Sequence, residues 1–198
     1  MPTHPVAADP PADWSDDRLI EAVLAGDSGH FEWLVRRHQT RLYTAMYHVT
    51  GSCEEAEDVV QEAMIKAFTK LASFQRNSQF FTWLYRIAFN VSASRRRRKR
   101  PNVSLEHYRD TTGEDVEASL DDVDRGLLRD EDIEKLRTAL HELSENHRAI
   151  LILREMQDHS YEDIAEMLEI SIGTVRSRLN RARAALKMTL ERGEEAAH

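Results

Sequence analysis

Five serines, Ser15, Ser52, Ser144, Ser160 and Ser171, each stand immediately ahead of a run whose apolar residues recur every three or four positions. A serine hydroxyl in that place accepts a hydrogen bond from an otherwise unpaired first-turn amide, so it starts a helix and fixes its register. Acids strengthen three of the starts: Asp16 and Asp17 after Ser15, Glu55 at S-x-x-E spacing after Ser52, and Asp163 at the same offset from Ser160. With only 7 glycines and 5 prolines in 198 residues, little room is left for turn-rich sheets. The expected fold class is all-α.

Along the chain, Leu19, Ile20, Val23 and Leu24 mark a first helix that Gly26 interrupts. Phe31, Leu34, Val35, Leu42, Ala45, Met46 and Val49 mark a second, closed by Thr50-Gly51. The third turns Val59, Val60, Ala63, Met64, Ala67, Phe68 and Leu71 inward and Asp58, Gln61, Glu62 and Lys66 outward. After the polar connector SFQRNSQ, a fourth buries Phe80, Leu84, Ile87, Ala88 and Val91 and runs into six consecutive cations, Arg95 to Arg100, before Pro101. At 100° per residue those cations cover most of the helix circumference, so no partner helix can bury them. They face solvent or an anion.

Net charge is -8, but it is unevenly spread. Residues 101–134 carry 3 Lys+Arg against 12 Asp+Glu, whereas Ala63 to Leu105 holds ten cations and no acid. The stretch 101–130 has no sustained apolar period and is expected to be a flexible acidic linker. Stretched out it would reach roughly 100 Å, enough to hold two domains on separate sites. Beyond it, Ile133, Leu136, Leu140 and Leu143 form one helix, and Ala149, Ile150, Leu153 and Met156 are the expected buried side of the next. A short helix SYEDIAEMLE and a long one from Ser171 then make a helix-turn-helix. In the last helix Val175, Leu179, Ala182 and Leu186 point inward, while Arg176, Asn180, Arg183 and Lys187 form an outer stripe flanked by Arg178 and Arg181. Five cations and no acid lie between Thr174 and Lys187, as suits a helix in a DNA major groove.

Three segments, EEAEDVVQEAMIKAF, FFTWLYRIAFN and SYEDIAEMLEISIGTVRSRLNRARAALK, resemble in order and spacing the second and fourth regions of sigma-70-type transcription initiation factors. Regions one and three have no counterpart, which points to the small extracytoplasmic function (ECF) group. The resemblance implies two small helical domains, a region 2 bundle at 15–100 and a region 4 helix-turn-helix at 131–190, joined by the linker 101–130. Disordered tails are expected at 1–14 and 191–198. It further implies a subunit that binds core RNA polymerase, recognises two promoter elements and melts the upstream edge of the start region.

By the same resemblance, Asp58, Gln61 and Glu62 match the face that docks on the coiled coil of the largest polymerase subunits. Ser73 to Gln79, with Arg76, Asn77 and Ser78, match the loop that accepts a flipped base of the -10 element. Asn90 and Ser94 lie where the following helix meets that strand, and Arg95, Arg96, Arg97 and Arg98 can grip its phosphates. Helical phase puts Phe80 and Trp83 in the core, leaving Phe81 and Tyr85 as exposed rings able to stack on bases. Arg176 and Ser177 match the positions that read base edges of the -35 element, with Ser171, Thr174, Arg178, Asn180 and Arg181 nearby for phosphates. Glu169 stands at the turn where relatives often have Gly, and Ser144 where many have Pro.

Other classes fit less well. His141 and Glu142 begin an H-E-x-x-H pattern, but position 145 is Glu145 and the next histidine is His147, so no zinc pair forms on one helix face. Neither a Gly-rich phosphate loop nor a catalytic triad is evident, so no enzyme, metal or cofactor is expected. Cys53 alone can form no internal disulfide. A helix-turn-helix regulator acting without polymerase, or a sigma-mimicking adapter that sequesters an anti-sigma factor, needs no basic surface over 63–105. No secretory signal or membrane span is evident, so a cytoplasmic location is expected. The expected partners are core polymerase, promoter DNA and an anti-sigma factor.

Overall fold

The computed structural model describes residues 14–99 and 130–196; the expected N-terminal tail up to residue 13, Arg100 and the linker up to residue 129 lie outside them. Eight helices and no strand are found among the described residues: α1 (Asp16–Leu24), α2 (Phe31–Thr50), α3 (Cys53–Lys70), α4 (Phe80–Lys99), α5 (Asp130–Glu142), α6 (Glu145–Leu151), α7 (Tyr161–Met167) and α8 (Ile172–Ala196). All five serines cap as expected. Ser15, Ser52, Ser144, Ser160 and Ser171 accept from the amides of Arg18, Glu55, His147, Asp163 and Thr174 respectively.

Helices α1 to α4 close around Leu19, Ile20, Leu34, Leu42, Met46, Val59, Leu84 and Ala88, and α5 to α8 around Ile150, Leu153, Ile164, Val175 and Leu179. The two cores run together into one cluster of buried residues, so the domains pack directly on each other. Gly51 takes the left-handed conformation that ends α2 (φ 79°), and a Cβ there would collide with the His141 ring of α5. Only glycine meets both demands.

Four expectations need correction. Met156 is 49% exposed, because the backbone widens into a π turn over Ile152–Met156 and the helical phase slips. Phe68 is 44% exposed; its ring meets Phe31 in a T-shaped contact, with ring centres 5.0 Å apart. Helix α8 continues to Ala196, through most of the stretch that composition reads as a tail. Trp14 is also held, stacked on His30 at 5.1 Å, while its carbonyl accepts from Arg37 at 2.8 Å.

Candidate nucleic-acid interface

Glu169 sits at φ 53° in the turn between α7 and α8. The Ile170 amide donates to the Ala165 carbonyl at 3.0 Å and that of Glu169 to Glu166 at 3.3 Å, the paired bonds of a Schellman helix end. A non-glycine residue there costs about 1 to 2 kcal/mol, offset by the two bonds. The turn sends α8 off with Val175, Leu179 and Ala182 buried. Arg176, Ser177, Asn180 and Arg181 consequently stand exposed on its outer side. Ser171 and Thr174 share a hydroxyl contact of 2.8 Å at the helix start, and Ser177 Oγ donates to the Thr174 carbonyl. Half-buried Arg178 lies beside His147; burial, with Arg178 and Arg181 near it, lowers that imidazole's pKa.

The N-terminal candidates fall into three settings. Arg76, itself left-handed at φ 58°, donates to Glu21 of α1 at 2.7 Å, and Asn77 Nδ2 donates to Gln75; both remain exposed. Asp58, Gln61 and Glu62 share one face of α3, but Arg95 of α4 reaches across to both carboxylates, Asp58 and Glu62. Lys66 at 2.6 Å and Arg95 hold the Glu62 carboxyl below the usual carboxylate range, against a smaller opposing effect of burial. Arg95 therefore belongs to the acidic face as much as to the basic one. Arg97 donates to Ser94 Oγ at 3.0 Å and stays exposed, as does Arg98.

The third setting was not foreseen: the C-terminal domain lies over the -10 candidates. Ser78 Oγ donates to Glu166 at 2.5 Å and Asn90 Nδ2 to Glu169 at 3.2 Å. Ser92 and Arg96 both donate to Glu145, at 3.0 and 2.9 Å. Phe81 and Tyr85, expected to be exposed, are 2% and 0% exposed. Phase puts them outward from their own bundle, and the second domain covers that outward face. His159 stacks on Phe81 with centres 5.9 Å apart and planes 6° from parallel. The Arg41 guanidinium lies 4.0 Å from the same ring and donates to His159 Nε2 at 2.9 Å. Phe80 and Trp83 are core residues, as phase predicts.

Arg148 is a further residue that sequence reasoning missed. It is 5% exposed and donates to the carbonyls of Leu140, His141 and Leu143 at the end of α5 and of Val49 at the end of α2, at 2.7 to 3.1 Å. Carbonyls at a helix C-terminus lack intrahelical partners, so one guanidinium ties two helix ends across the domains. Its only signal in the sequence was a cation beside the apolar run AILIL.

Among the described residues no group of His, Cys, Asp and Glu can hold a metal ion, and no helix is long and apolar enough to cross a membrane.

Comparison with known proteins gives a consistent family. Residues 34–101 match the family Sigma-70 region 2 and residues 133–186 the family Sigma-70, region 4. The RNA polymerase sigma-H factor of Pseudomonas aeruginosa is 38% identical over 186 residues, spanning 89% of this chain and 94% of that one. The ECF RNA polymerase sigma-E factor of Haemophilus influenzae is 36% identical over 183 residues, spanning 89% and 96%. Among solved structures, the sigma factor RpoE in complex with the anti-sigma factor NepR from Bartonella quintana aligns with TM-score 0.62 and 28% identity over 81% of this chain and 96% of that one. CnrH in complex with the cytosolic domain of CnrY shares the fold at TM-score 0.64 and 24% identity, over 89% and 97%.

Proposed function

The chain belongs to the extracytoplasmic function group of the sigma-70 RNA polymerase sigma factors, and from that premise we propose how its residues divide the work. It is a transcription initiation factor that directs core polymerase to promoters. Asp58, Gln61 and Glu62 dock on the polymerase. The loop with Arg76, Asn77 and Ser78 takes the flipped base of the -10 element, Asn90 and Ser94 contact the same strand, and Arg96 to Arg98 hold its phosphates. In the C-terminal domain Arg176 and Ser177 read the -35 element, while Ser171, Thr174, Arg178, Asn180 and Arg181 fix the helix on the backbone. The work is carried out in the cytoplasm, under an anti-sigma factor, with no catalytic group of its own.

The observation that carries this reading is α8. Behind a helix-turn-helix with a well-formed turn, its outer side presents Arg176, Ser177, Asn180 and Arg181 together, the arrangement that fits a major groove. Arginine contacts from so small a domain bind weakly at physiological salt. Polymerase supplies avidity by holding both domains on one duplex. Reconstitution tests the reading: with core polymerase and genomic fragments the protein should give discrete transcript starts, and without polymerase no promoter footprint. Specific binding by the protein alone, or an absence of starts with polymerase, would overturn it.

A further inference from the structure

Three histidines lie in the seam between the domains, and each faces an arginine with no carboxylate bonded to its ring. His159, in the turn before α7, accepts from Arg41 of α2 at 2.9 Å while its face covers Phe81 of α4. Asp158 and Asp163 lie nearby, and Arg154 donates to its backbone carbonyl. His141 of α5 rests against Gly51 in the turn between α2 and α3; its Nδ1 is 3.3 Å from Arg148 Nη1, with Arg137 and Glu134 of α5 also near. His48 of α2 faces Arg137 and His141, and its buried Nε2 has no hydrogen-bond partner.

Arginine has only donors, so His159 Nε2 and His141 Nδ1 are acceptors here, and both rings are neutral. A proton on either nitrogen removes the acceptor and sets cation against cation. A proton on His48 sets a second positive charge beside Arg137 in a place with little water.

We propose that this seam is a proton-sensitive latch: charging His48, His141 and His159 parts the two domains and uncovers the surface formed by Ser78 in the loop before α4 and by Phe81, Tyr85 and Asn90 on α4. The latch rests on the seam alone; that the uncovered face then reads the -10 strand rests on the function proposed above.

The sign follows from linkage. Burial, then Arg137 and His141, lowers His48 from its ordinary 6.5 to about 4. Burial and the neighbouring arginines lower His141 and His159 too. A base with a depressed pKa in the closed form favours closure above its open-form pKa. That advantage is lost as pH falls from about 6.5 toward the closed-form value. At pH 5.5 His48 alone should cut the closed-to-open ratio about tenfold relative to pH 7.5.

Small-angle scattering and circular dichroism of the full chain test the latch. From pH 7.5 to 5.5 the radius of gyration should rise reversibly with helicity unchanged, and H48Q/H141Q/H159Q should stay compact at both. A wild type compact at pH 5.5, or an expansion that persists in the triple variant, overturns the latch. Should the triple variant already be expanded at pH 7.5, His48→Gln decides, since its buried Nε2 has no hydrogen bond to lose. Its closed-to-open ratio should respond to pH about tenfold less than the wild type, and an unchanged response overturns the proposal. Binding of a single-stranded -10 oligonucleotide is followed alongside. Expansion with no gain in binding supports the latch and counts against α4 as the reading helix.

Discussion

The hydroxyl of Ser78 donates a 2.5 Å hydrogen bond to the carboxylate of Glu166, joining the loop before α4 to α7 across 88 residues of chain. Asn90 makes the equivalent bond to Glu169. On the function proposed above, carboxylate and DNA strand need the same donors, so the closed chain and the proposed -10 complex exclude each other.

Glu166→Gln with Glu169→Gln should therefore raise the affinity of the free chain for a single-stranded -10 oligonucleotide. Two charge-assisted bonds, the second at an exposed asparagine, contribute about 1 kcal/mol between them after solvent screening, or about fivefold in binding. Anisotropy with a labelled oligonucleotide measures it, and Glu162→Gln plus Glu191→Gln removes the same charge away from these bonds. Equal gains in the two double variants would attribute the effect to net charge and remove the competition argument.

Arg148→Met should destabilise the protein strongly. It leaves the Leu140, His141, Leu143 and Val49 carbonyls without this donor, at about 1 to 3 kcal/mol for a buried group that finds no water. A loss of about 3 kcal/mol lowers the melting temperature of a domain this size by roughly 12 to 24 °C. Arg148→Lys should recover less than half, because an ammonium cannot span the positions of the guanidinium fork. Calorimetry reads both, and a shift under about 2 °C for the methionine variant would mean water replaces the network.

The helices were legible because each signal for them is local. Ser52 and Glu55, or Ser160 and Asp163, sit within one turn, and the periods of α2 and α8 can be counted off directly. The seam was not legible because its pairs are remote: Ser92 with Glu145, Arg41 with His159 and Arg148 with Val49 have no spacing signature. Phe81 and Tyr85 show the consequence. Their phase correctly points them away from their own bundle, but a second domain waits on that side. Glu169 was legible as an unusual residue at a glycine position; its carboxylate on Asn90 was not.

Arg95 should behave differently from Arg97 and Arg98 in the free chain. It is engaged by Asp58 and Glu62, whereas Arg97 and Arg98 are exposed near the end of α4. For single strands each phosphate contact contributes a slope of about 0.7 in log K against log salt. Arg97→Ala with Arg98→Ala should flatten the slope by about 1.4, and Arg95→Ala by well under half that per residue. Equal slopes for Arg95→Ala and Arg97→Ala would show that Arg95 leaves the carboxylates to meet DNA.

Arg176→Ala separates base reading from backbone grip. Arg176 is exposed near the start of α8, where a recognition helix meets base edges, and a bidentate arginine-guanine pair discriminates by about 1 to 3 kcal/mol. With polymerase present, transcription from promoters whose -35 element offers that guanine should fall about tenfold to a hundredfold. Promoters mutated there should lose little more, because they have already lost the contact. Arg181→Ala should instead weaken all promoters together and reduce the salt slope by about 0.9, the value for one phosphate on duplex DNA. Multiple-round transcription from a panel of -35 variants distinguishes the two. A uniform loss for Arg176→Ala would place that side chain on the phosphate backbone and move the base-reading role to its neighbours Ser177 and Asn180.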